Sequence, residues 1–394
     1  MKLLLAWELG AGLGHMTSLA SFTAYFTSQQ CEVAYALRDV DTAKSFHKEN
    51  EHKIYQAPVL GIRRANRGAA YDCADMLLIR DYEDLSYLKN AIDKWLDIFA
   101  EFQPDAIVTD HAPSARLAAH VAGIKSHAIG NGFSIPPITL PLQTLQVIPQ
   151  PDVNLISDNE KRLNNCINKL LREYQLPEIK RAVEIFYGGS TFIRAFKELD
   201  HYSLRDDSTF YGVPLDEMNG IEPIWPNYSK KKAFVYFYPD DPILPRLLSV
   251  LHKLKIDTLF YANIDEELLP FTINSKHIEF SSKPFDISDI AGKCDLVICR
   301  GTNTVARSLL QGIPLLTFPT HIEQQINSLR LVQQQLGDTL NQDADENAIA
   351  NAINHCLNDN RIKQATTNFA TKYKEHNHQQ AIVNIAQQIL NSFS

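Results

Sequence analysis

Two apolar periods run through the chain and alternate. Leu3 to Trp7 is an unbroken apolar run, the pattern of a strand covered on both faces. Behind a glycine-rich turn, residues 15–29 set Met16, Leu19, Phe22, Ala24 and Phe26 so that much of one helical face is apolar. A second strand is predicted over 31–37, and an Asp-capped helical composition follows over 39–49. The stretch 82–102 carries Leu85, Leu88, Ile92, Trp95, Leu96 and Phe99 near a 3.6-residue spacing, which predicts a long helix. A buried strand over 104–110, a small-residue helix over 114–123 closed by Gly123, and a strand over 125–130 continue the alternation. Residues 160–200 read as mostly helical.

The pattern then stops and restarts. Residues 211–232 hold three prolines, two glycines and little periodicity, as in a linker. After it come strands over 233–238, 257–264, 277–280, 294–300 and 314–319, with helices over 242–254, 285–292, 303–312 and 323–335. A helix with its own apolar face ends the chain over 378–393. Strands alternating with helices argue for an α/β fold built on parallel sheets covered on both faces. Two such units in tandem are expected: an N-terminal domain over 1–215, a linker over 216–232, a second domain over 233–374, and a terminal helix over 375–394 packing back on the first domain. Sheets of this kind bind ligands beyond the carboxyl ends of their strands, so a cleft between two facing units is the expected site.

Composition narrows the partners. With 46 acidic against 38 basic side chains the net charge is −8, and no basic block exceeds Lys230–Lys232, so nucleic acid is not an expected partner. The apolar run at the amino end is too short for a signal sequence, and no stretch approaches the roughly 18 apolar residues of a spanning helix. A cytoplasmic location is expected, with peripheral membrane contact left open. Six scattered cysteines without a CxxC pair point to free thiols rather than to zinc or disulfides.

Candidate chemistry lies at the turns after strands. Gly10, Gly12 and Gly14 precede His15, a spacing one residue short of the dinucleotide fingerprint. Asp110 and His111 end the strand over 104–110. In the second unit Arg300, Gly301, Thr302, Asn303 and Thr304 fall where a strand gives way to a helix. Backbone N–H groups and hydroxyls there suit a diphosphate, with Arg300 adding charge, and suit an ordinary helix cap as well. Glu323 and Gln324, with Asn327 one turn on, can hydrogen-bond the vicinal hydroxyls of a sugar; an acidic residue complementing the helix dipole is the plainer alternative. Asp206–Asp207 and Asp240–Asp241 read as turn or surface acids, not metal ligands.

The stretch from Cys294 to Gly337 resembles the donor-binding signature of GT-B glycosyltransferases, especially family 1, through Cys299–Thr304, Gly312-Ile313-Pro314 and Glu323–Asn327. The likeness extends in order to ELGAGLGHMTSL (8–19), PDAIVTD (104–110) and LDHYSLRDDSTFYGVPLD (199–216), and DLVICRG (295–301) is similar to the lipid-linked N-acetylglucosaminyltransferase of peptidoglycan synthesis. The resemblance implies two Rossmann-like domains facing across a cleft. It implies a nucleotide sugar as substrate, UDP- or dTDP-linked, with no cofactor and no metal. It puts His15 at the general-base position with Asp110 as its partner, and Arg300, Gly301, Thr302, Asn303, Thr304, Glu323 and Gln324 on the donor. Gly12, Gly14 and His111 fall on the acceptor side, with His111 the alternative candidate for the base, and the apolar, Pro-rich stretch 130–149 could line the pocket or pack on its own domain. The family's phosphate-contacting His is Cys299 here, and its ribose-holding Glu is Arg307. The expected activity is inverting transfer of a hexose to a hydroxyl of a small-molecule or lipid acceptor. The alternatives are a non-catalytic GT-B partner protein, suggested by the two departures, or a sugar-nucleotide epimerase.

Overall fold

The computed structural model of this 394-residue chain describes residues 1–10, 14–41, 52–58, 70–145, 153–202, 205, 209–213, 220–264, 267, 269, 273–285, 290, 292–301 and 303–393. It divides into two compact units, Met1–Pro214 with Asn377–Ser394, and Leu215–His376.

The first unit is built on six parallel strands: β1 (Lys2–Trp7), β2 (Glu32–Leu37), β3 (Lys53–Gln56), β4 (Ala106–Asp110), β5 (Lys125–Gly130) and β6 (Ser190–Ile193), in the order β3-β2-β1-β4-β5-β6. The two-residue period of a strand explains why the run at its start is apolar throughout. Leu4 and Ala6 of β1 enter one core with Ala34, Ala36 and Ile107, whereas Leu3, Leu5 and Trp7 enter the other with Val33, Tyr35 and Val108. Each such Leu, wholly buried, stabilises the fold by roughly 2 kcal/mol.

Helices cover both faces: α1 (Gly14–Ala20), α2 (Thr23–Ser28), α3 (Cys73–Leu78), α4 (Leu85–Phe102), α5 (Pro113–Ala122), α6 (Val153–Glu173) and α7 (Val183–Tyr187). The long helix is the one its periodicity predicts: Asp84 caps it by accepting from Tyr87 N at 3.0 Å, and Leu88, Ile92, Trp95 and Phe99 face the core. The helix expected over 15–29 is instead broken in two. The buried Arg194 donates to Ser18 O and Ser18 Oγ at 3.0 Å and to Ser21 Oγ at 3.2 Å, drawing that carbonyl out of the helical ladder. A further strand, β6, lies inside the segment expected to be helical.

The second unit repeats the sheet. Strands β7 (Lys232–Tyr236), β8 (Asp257–Tyr261), β9 (Ile278–Ser281), β10 (Leu296–Cys299), β11 (Leu315–Thr317) and β12 (Gly337–Thr339) are parallel in the order β12-β11-β10-β7-β8-β9. Counted from the first strand of each unit, both sheets have the strand order 3-2-1-4-5-6. Helices α8 (Leu244–Lys253), α9 (Asn303–Leu310), α10 (Ile322–Gln333), α11 (Glu346–Asn358) and α12 (Asn360–Lys372) cover it. The chain then returns to the first unit as α13 (His378–Asn391), whose Ile382, Ile385, Ala386 and Ile389 join the core of Leu3, Leu5 and Trp7. Of the linker expected over 216–232, residues 216–219 lie outside the described residues. Tyr228 and Ser229 donate their N–H groups to Asp257 at 2.8 Å, within the second unit.

In the stretch 130–149, residues 146–149 lie outside the described residues. Within the rest, Ile135, Leu142 and Leu145 pack into their own unit and Leu140 is exposed. The expected helix over 39–49 falls on undescribed residues from 42 on, and most of that over 285–292 does as well.

Candidate active site

In a sheet of this order the strands on either side of the first crossover leave a crevice at their carboxyl ends. In the first unit those strands are β1 and β4, and Trp7 is in register with Asp110. The first residues beyond them carry the chemistry.

Asp110 ends β4 and is buried, and His15 is the second residue of α1. His15 Nδ1 lies 2.9 Å from Asp110 Oδ1. An ionised carboxylate only accepts, so the proton sits on Nδ1 and Nε2 is left with its lone pair. The His15 ring stacks on Trp7 with centroids 5.7 Å apart, and the Trp7 indole donates to Leu9 O at 2.6 Å. Gly10 closes the other side. Its φ of +89° favours glycine, and a Cβ there would collide with His15 Nε2. The glycine that the histidine requires is therefore Gly10. Gly14 opens α1, and Gly12 lies outside the described residues.

His111 follows with a left-handed φ of 48°, rare for a side-chain-bearing residue, and its carbonyl accepts from Leu9 N at 3.0 Å. Its ring lies 5.9 Å from that of His15. Burial pushes its pKa well below the ordinary imidazole value, and the neighbouring His15 and Arg80 push the same way, so it is neutral at physiological pH.

The second unit has an equivalent crossover between β7 and β10. Here Arg300, next after β10, is held by Asp241 on the loop after β7: Nε lies 2.9 and 2.7 Å from the two carboxylate oxygens, and Nη2 lies 2.5 Å from Oδ1. Asp241, expected as a turn or surface acid, is a turn acid: its N–H donates to Tyr238 O at 3.2 Å, and it is buried rather than at the surface. Its side chain is completely buried, because the Arg300 guanidinium and the Tyr238 N–H satisfy it. The guanidinium also lies 4.3 Å from the centre of the Tyr238 ring. Arg300 is thus a cation fixed in place by a carboxylate partner. Its neighbour Asp240 is exposed, whereas Asp206 and Asp207 lie outside the described residues.

Gly301, with φ +130°, leads toward α9, which starts at Asn303 and carries the buried Thr304 in its first turn. Thr302 and the side chain of Asn303 lie outside the described residues. Glu323 is in the first turn of α10. Gln324 is buried, and its Oε1 accepts from Thr320 N at 2.9 Å and Thr320 Oγ1 at 3.0 Å, so this oxygen braces its own loop. His321, which the sequence reading passed over, precedes α10. Crowding by protein lowers its pKa, Glu323 opposes the shift, and Arg300 adds to it. Cys299 is buried and its thiol is pushed up to about 12, so it brings no charge to the site. Arg307 lies in the last turn of α9. Among the described residues no group of three or more His, Cys, Asp or Glu is placed to hold a metal ion.

The sequence reading missed Glu8, Gly10 as a steric partner of His15, Asp241 and His321. Only Gly10 carries a local signal, since a glycine that a ring overlies can be sought upstream of any candidate base. The others depend on strands far apart in sequence.

Residues 254–385 match the family model of the glycosyltransferase family 28 C-terminal domain. A PGL/p-HBAD biosynthesis glycosyltransferase of Mycobacterium tuberculosis is 22% identical over 298 residues, covering 70% of this chain and 68% of that protein. Among solved structures, the calicheamicin glycosyltransferase CalG4 superposes with a TM-score of 0.71 at 14% identity, covering 99% of this chain and 97% of the other. The spinosyn rhamnosyltransferase SpnG, complexed with thymidine diphosphate, does so with a TM-score of 0.68 at 14% identity, covering 98% and 100%. Two parallel six-stranded sheets of this order, with these likenesses, define a GT-B protein. The chain is a glycosyltransferase of the GT-B fold. No helix among the described residues is long and apolar enough to cross a membrane.

Proposed function

We propose that this protein transfers a hexose, with inversion, from a nucleoside-diphosphate sugar to a hydroxyl of a small-molecule or lipid acceptor. The observation that carries the reading is the His15–Asp110 pair at the crossover of the first unit. His15 Nε2 takes the proton of the acceptor hydroxyl, and Asp110 stabilises the resulting imidazolium through Nδ1–H. The acceptor oxygen forms its bond to the anomeric carbon as the bond from that carbon to the diphosphate breaks. The diphosphate leaves with the electron pair. One displacement at one carbon inverts it, and no covalent sugar–enzyme bond is formed.

The leaving-group charge is assigned to the start of α9, with Gly301, Thr302, Asn303 and Thr304 as donors and Arg300 beside them, and not to a metal ion. Glu323 and Gln324 are assigned to the sugar, Gln324 through whatever its Thr320 contact leaves. Thymidine diphosphate in one SpnG complex and spinosyn aglycone in another support a dTDP-linked donor and an apolar acceptor as the first to try. His111, neutral and beside His15, lies on the acceptor side and does not compete for the proton. The alternatives of a non-catalytic partner protein and of an epimerase are tested by the same experiment. Purified protein is given UDP- and dTDP-sugars with and without a panel of apolar hydroxyl compounds. Acceptor-dependent release of nucleoside diphosphate is the expected result. Donor conversion with no acceptor would make it an epimerase, and no turnover of any pair would leave the partner-protein reading.

A further inference from the structure

Glu8 is the one feature beside the dyad for which neither the reaction nor the core gives a reason. It follows β1 directly and is completely buried. Its carboxylate accepts from Ser114 N at 3.0 Å and Ala115 N at 3.2 Å, and from Ser114 Oγ at 2.6 Å. These are the first N–H groups of α5. That helix begins Ala112-Pro113, and Ala112 at its N-cap has no side chain with which to cap it. The cap comes instead from a strand more than a hundred residues earlier in the chain. Burying a carboxylate is an expensive way to cap a helix that a serine or aspartate at position 112 would cap locally.

What the distant cap does is geometric. Glu8 begins the loop that leads through Gly10 to His15, and α5 begins immediately after Asp110 and His111. The carboxylate ties the two loops together, and Leu9 N to His111 O, at 3.0 Å, ties them a second time. Trp95 Nε1 donates to Ser114 Oγ at 2.8 Å, so the hydroxyl that meets Glu8 is itself held. His15 lies in the helix that the first of these loops leads to, and Asp110 ends the strand from which the second departs.

We propose that Glu8 is a positioning residue: its bonds to Ser114 and Ala115 clamp the β1 loop to the β4 loop and thereby set the tautomer and basicity of His15. The inference rests on reading His15 as the base, but its test needs no substrate. The full-length protein is labelled with ¹⁵N-histidine, and the ring nitrogens of His15 are followed through a pH titration. In the wild type the ring holds a single tautomer, protonated at Nδ1. Glu8→Gln puts an amide N–H₂ against donors, opens the clamp, populates the second tautomer, and lowers the His15 midpoint by about half a unit as the Asp110 contact weakens. Ser114→Ala, which removes one of the three bonds, shifts both readouts the same way by less and serves if Glu8→Gln does not fold. Asp84→Ala, which strips an ordinary cap from α4 in the same unit, leaves the His15 signals unchanged. The inference is overturned if folded Glu8→Gln or Ser114→Ala keeps the wild-type tautomer and midpoint, or if Asp84→Ala moves them equally. Failure of the reading as a transferase would show separately, as absence of nucleotide-sugar turnover by a protein whose His15 responds as described.

Discussion

At the scale of the residue, the first unit's site depends on contacts without slack. His15→Ala removes the group proposed to take the acceptor proton, which is hydrogen-bonded to Asp110. Transfer is expected to fall by on the order of 10²–10⁴-fold, with donor affinity, read by calorimetry, unchanged; survival of near-normal turnover would show that His15 is not the base. Gly10→Ala adds a Cβ where the His15 ring sits, at a φ of +89°. It is expected to cost about 1–3 kcal/mol in denaturant unfolding and to lower turnover, because the ring must move. The two variants act differently: the first removes the ring and leaves the buried Asp110 carboxylate without it, the second keeps the ring and displaces it.

Glu8 also imposes a pH dependence. Burial is the largest influence and raises its pKa from 4.5 to about 7, against the opposing hydrogen bonds from Ser114 and Ala115 and the charge of Arg80. The folded state therefore binds this proton more tightly than the unfolded chain does. Its stabilising contribution is full below about 4.5, is lost as pH rises towards 7, and changes no further above that. The loss is about 3 kcal/mol across that window. Unfolding free energies at pH 5 and pH 7.5 should show that fall in the wild type and a smaller one in Glu8→Gln. An identical slope in the two proteins would locate the dependence elsewhere.

At the scale of the element, success and failure in reading the chain follow position in the sheet. The central strands β1, β4, β7 and β10 have neighbours on both sides and helices on both faces, so their sequences are runs of apolar residues that cannot be anything else. The edge strands are three or four residues long and half solvated. β3 (KIYQ), β6 (STFI) and β12 (GDT) carry no period, and only β9 among the edges was legible. The split between α1 and α2 was illegible for a different reason. Local sequence favours one helix, and a buried arginine from beyond β6 decides otherwise. Elements are also tied at the far end of the second sheet. Asp257, which begins β8, accepts from His277 Nδ1 at 2.8 Å as well as from the N–H groups of Tyr228 and Ser229, and the Asp257 and His277 side chains are buried. Asp257→Ala strands the histidine and both N–H groups. A loss of roughly 3–5 kcal/mol is expected in chemical denaturation, and a change under 1 kcal/mol would mean that water replaces the carboxylate.

At the scale of the whole molecule, the chain leaves the first unit at Pro214 and re-enters it at Asn377. The four buried side chains of α13 complete a core whose other buried members lie in the first half of the sequence. A chain ending at His376 should therefore lose stability in the first unit and not in the second. At roughly 1.5–3 kcal/mol per large apolar side chain returned to water, proteolysis should cut within the residues of the first unit while those of the second resist. Equal loss in both units would contradict that assignment.

The sequence by itself determined the α/β class, the tandem arrangement, the long helix, and the candidates His15, Asp110, Arg300 and Glu323. Each of these is encoded in hydrophobic period or in short motifs, which are local properties of the chain. Only the tertiary structure decided that Gly10 is the glycine the ring requires, that Glu8 caps a helix more than a hundred residues away, and that Arg300 is matched by a buried Asp241. Those are meetings between loops at the ends of neighbouring strands. Which strands are neighbours is set by the packing of the whole sheet, and no window of sequence contains both partners.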